Sequence, residues 1–240
     1  MSEAVLRRHR AVWERKPVLR AIYADWYKRI LESLKPGKAI EIGGGSGNLK
    51  EYYPQIITSD IVPLPWVNLV LDAHSLPCKN ASVENVILFD VLHHLENPAL
   101  FFDELVRVLR PGGRLILMEP YVSLASYLVY RFLHHEPLDT HQDPFEIKER
   151  SSQRRLLDAN QAIPTLVFVR YKDRFRKRYS TLKTIRCDRL SFLAYPLSGG
   201  FEHPSLLPLW AVKPLLMIER LLSFLSPILA FRLLLILEKA

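Results

Sequence analysis

The sequence predicts an α/β fold, in which helices cover both faces of an open, mostly parallel sheet of about seven strands. Three observations support this prediction. A short apolar start, residues 38–40, leads directly into a glycine-rich turn at residues 41–47. Further short apolar strands follow at intervals, with helical patterns between them. An acidic residue stands at the end of several of these strands, so the acids would gather at one edge of a parallel sheet.

The turn at residues 41–47 (EIGGGSG) carries glycine at alternate positions, Gly43, Gly45 and Gly47. Glycine permits positive φ and close approach of a ligand to the main chain, and the N–H groups of a following helix start would face that ligand. The turn therefore indicates a nucleotide-like cofactor, although any tight strand-to-helix connection also uses glycine. Asn48 stands where the third glycine of a dinucleotide fingerprint would be, which disfavours that class.

Four further strands follow the turn. They are predicted at residues 55–57, 68–71, 86–89 and 114–118, and the acids after them are Asp60, Asp72, Asp90 and Glu119. Asp60 is placed as expected for a carboxylate that accepts the hydroxyls of a ribose. A single acid at a strand end is usually a turn former or a helix cap, but four acids beside a glycine-rich turn indicate a binding edge.

With these motifs the chain resembles the class I S-adenosylmethionine-dependent methyltransferases, in particular the group that methylates small molecules, quinones and lipids. The resemblance covers roughly residues 17–120. It rests on residues 41–47, on Asp60 and on the pair Asp72-Ala73, together with residues 89–95 (FDVLHHL) and 109–113 (LRPGG). It implies a Rossmann-like, seven-stranded fold and S-adenosylmethionine as the cofactor, and it leaves the acceptor open.

Residue by residue, the resemblance implies that the glycine turn passes under the methionine part of the cofactor, with Glu41 near its amino group. Asp60 would hold the ribose and Ile61 would lie against the adenine. Asp72 and the backbone of Ala73 would meet the adenine amino edge, and Asp90 would lie near the sulfonium.

Transfer of an activated methyl group requires a nucleophile held in line and, for an oxygen or carbon acceptor, removal of a proton. His94 and His93, just beyond the fourth strand, are the candidate bases, although paired histidines here can also cap a helix or pack the rim. Glu119 and Tyr121 are further candidates on the substrate side. Tyr23, Trp26 and Tyr27 share one face of a helix predicted over residues 18–34. They could cover the cofactor or belong to the core.

Residues 122–133 are predicted to form an apolar helix, placed as a lid over the acceptor. The polar loop after it, residues 134–143, carries three histidines, among them His135, and three acids. A metal site is one interpretation of this loop, but its Pro and Asp content also fits a loop that faces the substrate, and we expect no metal. A helix over residues 151–161 and a sixth strand over 164–170 follow.

Basic residues alternate with aromatic residues over 170–179, within a basic stretch at 170–189. Such a run could grip RNA, lie against anionic lipid headgroups, or form a solvated hairpin. The tail, residues 206–237, is dominated by Leu, Ile, Phe and Trp. Pro227 and Arg232 argue against a membrane-spanning helix. Four interpretations of the tail remain open: two helices in the membrane interface, a wall of an apolar acceptor pocket, a dimer interface, or a buried helical cap.

The 240 residues, 49% of them hydrophobic and with a net charge of +8, suffice for a sizeable core. We expect a helical cap at 1–35, a methyltransferase domain at 36–195 with a lid and loop insertion at 121–150, and a hydrophobic helical extension at 196–240. The charged start shows no signal peptide. Cys78 and Cys187 show no pairing pattern, which indicates a reducing compartment and argues against zinc.

The sequence thus predicts an S-adenosylmethionine-dependent methyltransferase of the cytoplasm. It would act on an oxygen or carbon atom of a small lipophilic acceptor, and residues 204–240 could contact the inner face of the membrane. The alternatives are an RNA methyltransferase that uses the basic stretch, and a non-catalytic module that keeps the fold and docks on a membrane complex. The sequence leaves the oligomeric state open.

Overall fold

The computed structural model of the protein describes residues 3–147 and 159–240. One sheet of seven strands forms its centre: β1 (Ala39–Ile42), β2 (Ile57–Asp60), β3 (Leu69–Val70), β4 (Val83–Phe89), β5 (Leu109–Pro120), β6 (Leu182–Leu190) and β7 (Arg232–Lys239). The helices of the described residues are α1 (Glu3–Arg15), α2 (Pro17–Leu31), α3 (Pro98–Val108), α4 (Leu124–Phe132), α5 (Ile163–Thr165), α6 (Lys172–Arg178), α7 (Ala194–Ser198), α8 (Leu209–Leu221) and α9 (Ser226–Leu229).

The strands lie in the order β3-β2-β1-β4-β5-β7-β6. The first five are parallel where they pair, and β7 runs antiparallel to both of its neighbours, β5 and β6. This topology confirms the predicted α/β class with a seven-stranded, mostly parallel sheet. It also brings the ends of β1, β2 and β4 to one edge.

Both faces of the sheet are buried, which explains why its central strands are apolar almost throughout. In β4, Val86 and Leu88 belong to one hydrophobic core and Ile87 belongs to the core on the opposite face. The first core packs β4 and β5 against α3, whereas the second packs them against α1 and α2. The two cores therefore hold the strand ends in fixed register.

The end of the chain differs from the prediction. Residues 232–239 form strand β7, inserted between β5 and β6, and not the end of a helical extension. Leu235 and Leu237 enter the first core, while Leu234 and Ile236 enter the second. A strand buried on both faces has the same continuous apolar character as a buried helix, so residue composition did not separate the two.

The expected sixth strand over 164–170 is also wrong, because this segment is helical. Pro164 lies in the first turn of α5, where a missing N–H costs little, and the helical path continues as a π-type turn at Leu166–Arg170. Leu166 and Val167 are buried in the first core, so tertiary packing overrode the β-branched composition. The predicted helix over 151–161 falls mostly outside the described residues.

The helix predicted over residues 122–133 is present as α4. Ser123 caps this helix: its hydroxyl accepts a hydrogen bond from the Ser126 amide at 3.1 Å. The chain after α4 is an irregular polar loop as far as residue 147, where the described segment ends. Among residues 3–147 and 159–240, no helix combines the length and the apolar character needed to cross a bilayer.

Candidate cofactor and acceptor site

The turn after β1 has the strained geometry that its glycines permit. Gly43, Gly45 and Gly47 all have positive φ, at 69°, 45° and 75°. A Cβ atom on Gly43 would lie 2.4 Å from Cγ2 of Val91, so the turn packs directly on the residue after Asp90 at the end of β4. Only glycine satisfies both demands at this position.

Glu41, at the end of β1, is buried beneath this turn. Its Oε2 atom has no hydrogen-bond partner, and a Cβ atom on Gly44 would lie 2.7 Å from it. Burial raises the pKa of Glu41 to about 7. A buried carboxylate oxygen without a donor is costly, so this site suits a ligand that brings a positively charged or neutral N–H group to the turn. The amino group of S-adenosylmethionine fits that requirement.

Asp60 connects the end of β2 to the glycine turn. One carboxylate oxygen accepts a hydrogen bond from the Gly45 amide and the other accepts one from the Val62 amide, each at 2.9 Å. Each oxygen keeps a lone pair for a further donor, such as a ribose hydroxyl. The next residue, Ile61, is 49% exposed, which leaves an apolar side chain available beside Asp60.

Helix α1 covers the glycine turn, a contact that the sequence did not reveal. A Cβ atom on Gly45 would lie 3.2 Å from Cδ2 of Leu6. Arg10 stacks on Trp66 at 4.5 Å, and the Trp66 indole donates to the Gly45 carbonyl at 2.8 Å. Three residues, Leu6, Arg10 and Trp66, thus join the predicted site. The charged sequence of α1 did not predict its contact with the glycine turn, because the same pattern also fits an exposed helix.

An acid, Asp72, follows the third strand as predicted, but its carboxylate already contacts His74. The ring of His74 lies 2.7 Å from the Asp72 carboxylate through Nδ1, and the His74 amide donates to the same oxygen at 2.9 Å. Ala73 between them is buried. The pair fixes the backbone at the position expected to face the adenine amino edge.

Asp90 forms an ion pair across the sheet. Arg232, at the start of β7, donates through both terminal nitrogens to the two carboxylate oxygens of Asp90, one of them at 2.8 Å. The Arg232 guanidinium is buried and lies 4.6 Å from the ring centroid of Tyr195 and 5.1 Å from that of Trp26. The backbone at Asp90 has a φ of 57°, so the acid sits on a strained turn at the strand end.

The aromatic stripe of α2 belongs to the core. Tyr23, Trp26 and Tyr27 are all buried, and the ring centroid of Tyr23 lies 5.1 Å from that of Phe89 on β4. Of the two interpretations that the sequence left open, this burial favours core packing. Tyr121 is likewise buried, in a small cluster with Phe192 and Leu233. His135, in contrast, is exposed in the loop after α4.

His93 is held between two glutamates. Its Nδ1 lies 2.7 Å from Oε2 of Glu119, and its Nε2 lies 3.6 Å from Oε2 of Glu136. Burial by itself lowers the pKa of His93, but the hydrogen bonds and charges of these two carboxylates raise it to about 10. His94 is less buried, and its Nε2 lies 3.7 Å from Oε1 of Glu136. His93, His94 and Glu119 therefore lie close together, and Glu136 is the residue of the loop after α4 that contacts both histidines.

Two of the three aromatic residues at 170–179 are buried and cannot stack on the bases of single-stranded RNA. Phe175 and Tyr179 of this stretch are buried in the first core. Arg174 pairs with Asp143 at 2.6 Å and Arg178 pairs with Asp103 at 3.0 Å. These contacts make α6 a structural element and disfavour the RNA alternative.

The comparisons with known proteins agree with this geometry. Residues 40–117 match the methyltransferase domain family. A curated relative, the malonyl-[acyl-carrier protein] O-methyltransferase of Hahella chejuensis (strain KCTC 2396), is 33% identical over 99 residues, which cover 34% of this chain and 36% of the relative. The matched part of this chain spans 17% and 36% of the lengths of two curated relatives.

Two solved structures show the same fold. A SAM-dependent methyltransferase from Archaeoglobus fulgidus superposes with a TM-score of 0.55 at 11% identity, over 92% of this chain and 94% of the other. Geranyl diphosphate C-methyltransferase from Streptomyces coelicolor A3(2), solved with Mg²⁺, geranyl diphosphate and S-adenosyl-L-homocysteine, also gives 0.55 at 11% identity, over 90% of this chain and 78% of the other. We conclude that residues 40–117 form a methyltransferase domain and that the chain has the fold of the class I S-adenosylmethionine-dependent methyltransferases, whose cofactor is S-adenosylmethionine.

Proposed function

We propose that this protein transfers the methyl group of S-adenosylmethionine to an oxygen or carbon atom of a small lipophilic acceptor at a membrane surface. The observation that carries the cofactor half of the proposal is the unpartnered Oε2 atom of Glu41, buried directly under the glycine turn. Bound there, the cofactor would supply an activated methyl group. Glu41 would receive its amino group, Asp60 its ribose and Ile61 its adenine.

The chain's own residues would position the reactants and exclude water. Leu6 and Trp66 cover the glycine turn and would close the cofactor side. On the acceptor side, the pKa of His93 is raised between two carboxylates, so this histidine is a poor proton acceptor near neutral pH. His94 is the better placed of the two candidate bases, because its side chain is less buried than that of His93 and its Nε2 lies 3.7 Å from Glu136, beyond hydrogen-bond distance.

The lipophilic acceptor is inferred from an exposed apolar surface on α4, α8, α9 and the turn between α8 and α9. Its exposed side chains are Leu124, Leu128, Phe132, Leu133, Trp210, Met217, Leu221, Phe224 and Ile228. Trp210 is 79% exposed and Phe224 is 73% exposed. Large rings in water on neighbouring elements indicate a surface that meets an apolar phase.

Basic residues accompany this apolar surface. Arg131 lies on α4 and Lys213 lies on α8, in a protein whose net charge is +8. Apolar rings next to basic side chains suit the surface of an anionic bilayer, in which the rings enter the interface and the cations meet the headgroups. Because α4 follows directly from β5, which carries Glu119, this surface lies beside the proposed acceptor side of the site.

Calorimetric titration with S-adenosylhomocysteine tests the cofactor assignment. We expect binding to one site in the wild-type protein and a loss of about 1.5–3 kcal/mol in Asp60→Ala, because a hydrogen bond to a charged acceptor is removed. Asp173→Ala, at an exposed acid in the first turn of α6, is the matched control and should bind like wild type. Equal affinity in wild type and Asp60→Ala would refute the role of Asp60.

A further inference from the structure

The turn after β4 and the polar loop after α4 bring three metal-ligand side chains together. Glu136 lies 3.6 Å from Nε2 of His93 through Oε2, and 3.7 Å from Nε2 of His94 through Oε1. One ligand atom from each residue lies within 4.8 Å of the other two. On a tetrahedral metal with bonds of about 2.0–2.2 Å, neighbouring donor atoms are about 3.4 Å apart. The distance from His93 to Glu136 is already close to this value, and the widest separation of the three atoms would shorten by at most about 1.4 Å when a metal binds.

A buried carboxylate orients the first histidine. Oε2 of Glu119 lies 2.7 Å from Nδ1 of His93, and Oε1 of Glu119 accepts hydrogen bonds from the amides of Val91 and Leu92 at 2.8 and 2.7 Å. These contacts fix the ring so that Nε2 points at Glu136. A carboxylate on the far nitrogen of a histidine is the usual outer contact of a metal-binding histidine, because it fixes the tautomer and raises the basicity of the ligand.

The glutamate ligand is also held in place. The side-chain amide of Gln161 donates to Oε2 of Glu136, which leaves the second oxygen of Glu136 facing His94. Asn160 joins the two segments of the site: its amide donates to the His93 carbonyl at 2.8 Å, and its side chain exchanges hydrogen bonds with the backbone of Asp139. The arrangement is therefore preorganised by contacts outside the three ligands.

A second group of possible metal ligands, Asp90, His93 and Glu119, is also close together, but its two carboxylates already have hydrogen-bond partners. Both oxygens of Asp90 accept from Arg232, and both oxygens of Glu119 accept from the turn or from His93. A cation there would have to displace the buried guanidinium of Arg232. The set that contains Glu136 is partly exposed and avoids that conflict.

We propose that His93, His94 and Glu136 form a binding site for a divalent transition-metal ion of the zinc or iron(II) type. Two imidazoles and one carboxylate select such ions over Mg²⁺ and Ca²⁺, which prefer oxygen ligands. Three protein ligands leave at least one coordination position for water or an oxygen atom of a ligand. Val91, two residues before His93, contacts the glycine turn, so the site adjoins the cofactor crevice.

This site changes the role of His94. As a ligand it would not remove a proton itself; the metal would instead lower the pKa of an acceptor hydroxyl that binds to it. That consequence rests on the proposed methyl transfer, whereas the binding of the metal does not. A protein that binds metal but not S-adenosylhomocysteine would contradict the proposed function alone, and the reverse result would contradict the metal site alone.

Titration of the metal-free 240-residue chain with Co²⁺ tests the proposal, since Co²⁺ gives visible absorption bands that report its ligands. We expect saturation at one equivalent, displacement by Zn²⁺ and no displacement by an equal concentration of Mg²⁺. Glu136→Gln and His94→Ala should each weaken binding at least tenfold. His141→Ala is the matched control, because His141 also lies near a carboxylate, at 3.8 Å from Asp139, but is exposed in the same loop.

X-ray absorption of the wild-type Co²⁺ complex gives a result that does not depend on the folding of the variants. We expect two imidazole ligands and oxygen donors in the first shell of the metal. The proposal is overturned if wild type shows no saturable Co²⁺ binding, if its complex contains fewer than two imidazoles, or if folded Glu136→Gln and folded His94→Ala both bind Co²⁺ as wild type does. His93 would then serve only as an imidazolium held between Glu119 and Glu136.

Discussion

Arg232 and Asp90 form a two-armed ion pair that ties the first residue of β7 to the residue that follows β4. The two residues are 142 positions apart in the chain, and β5 lies between their strands in the sheet. The pair therefore connects the C-terminal strand to the edge of the sheet where the cofactor crevice lies. It also explains an arginine within an otherwise apolar tail, because the guanidinium has a partner there and needs no water.

The first prediction concerns this ion pair. The Asp90 side chain is 29% exposed, whereas that of Arg232 is 4% exposed, so removal of the acid leaves a buried, unpaired cation. We expect Asp90→Asn to lower the free energy of unfolding by about 3–5 kcal/mol, measured by urea denaturation. The double variant Asp90→Asn/Arg232→Met should be more stable than Asp90→Asn alone. Additive losses in the double variant would contradict this coupling.

The second prediction separates backbone strain from steric clash. Gly43 and Gly112 have similar positive φ values, 69° and 74°, but a Cβ atom on Gly43 meets Val91, whereas one on Gly112 meets nothing within 4 Å. Gly112→Ala should lower the free energy of unfolding by about 1 kcal/mol, from the backbone alone. Gly43→Ala should cost distinctly more.

Val91→Ala provides the control for that difference. In a double-mutant cycle, Gly43→Ala and Val91→Ala should show favourable coupling, because the smaller side chain admits the new methyl group. Equal costs for Gly43→Ala and Gly112→Ala, or no coupling with Val91, would show that the contact between the turn and the end of β4 is not tight.

The third prediction follows from the raised pKa of Glu41. This pKa is about 7 in the folded protein against an ordinary value of 4.5, so between these pH values the unfolded chain binds fewer protons than the folded one. The free energy of unfolding should therefore fall as the pH rises from about 4.5 to 7. Glu41→Gln removes this loss and should stabilise the ligand-free protein by about 3 kcal/mol above pH 7.

Urea denaturation of both proteins at pH 5 and pH 8 measures this difference. The stabilisation by Glu41→Gln should be much smaller at pH 5 than at pH 8. Parallel pH profiles for wild type and Glu41→Gln would mean that the carboxyl is ionised in the folded state at both values. We also expect Glu41→Gln to weaken binding of S-adenosylhomocysteine at pH 8, because the partner of its amino group loses its charge.

The fourth prediction concerns the exposed apolar surface. Wild-type protein should sediment with anionic liposomes, less so at high salt, and Trp210→Ser/Phe224→Ser should weaken this binding at least tenfold, since burial of each large side chain contributes roughly 1.5–3 kcal/mol. Val70→Ser, at an exposed apolar side chain of β3 near the opposite edge of the sheet, is the control.

The sedimentation of Trp210→Ser/Phe224→Ser distinguishes a membrane-binding surface from one that binds a protein. Unchanged sedimentation in Trp210→Ser/Phe224→Ser would direct attention to a protein partner for this surface, and the acceptor search would turn to water-soluble molecules. Point substitutions are required, because deletion of residues 204–240 would remove β7 from between β5 and β6, leaving β6 without a neighbouring strand and β5 paired with β4 alone.

Local patterns predicted the first half of the chain well. The glycine turn, the acid after β2 and the alternation of strands and helices up to β5 depend on backbone conformation and short-range periodicity, which the sequence expresses directly. The structure places Glu41, Asp60 and the glycine turn together, as expected. The segment at 164–170 was assigned incorrectly because its β-branched residues pack as a helix against the first core.

The sequence by itself determined the fold class, the cofactor family and the edge of the sheet at which the acids gather, because each follows from the residues at the ends of successive strands. Only the tertiary structure decided that β7 lies inside the sheet, that α1 covers the glycine turn, and that Glu136 meets the two histidines. Those contacts join segments far apart in the chain. Their stability comes from burial and charge pairing in the folded state, and neither leaves a periodic signal in the sequence.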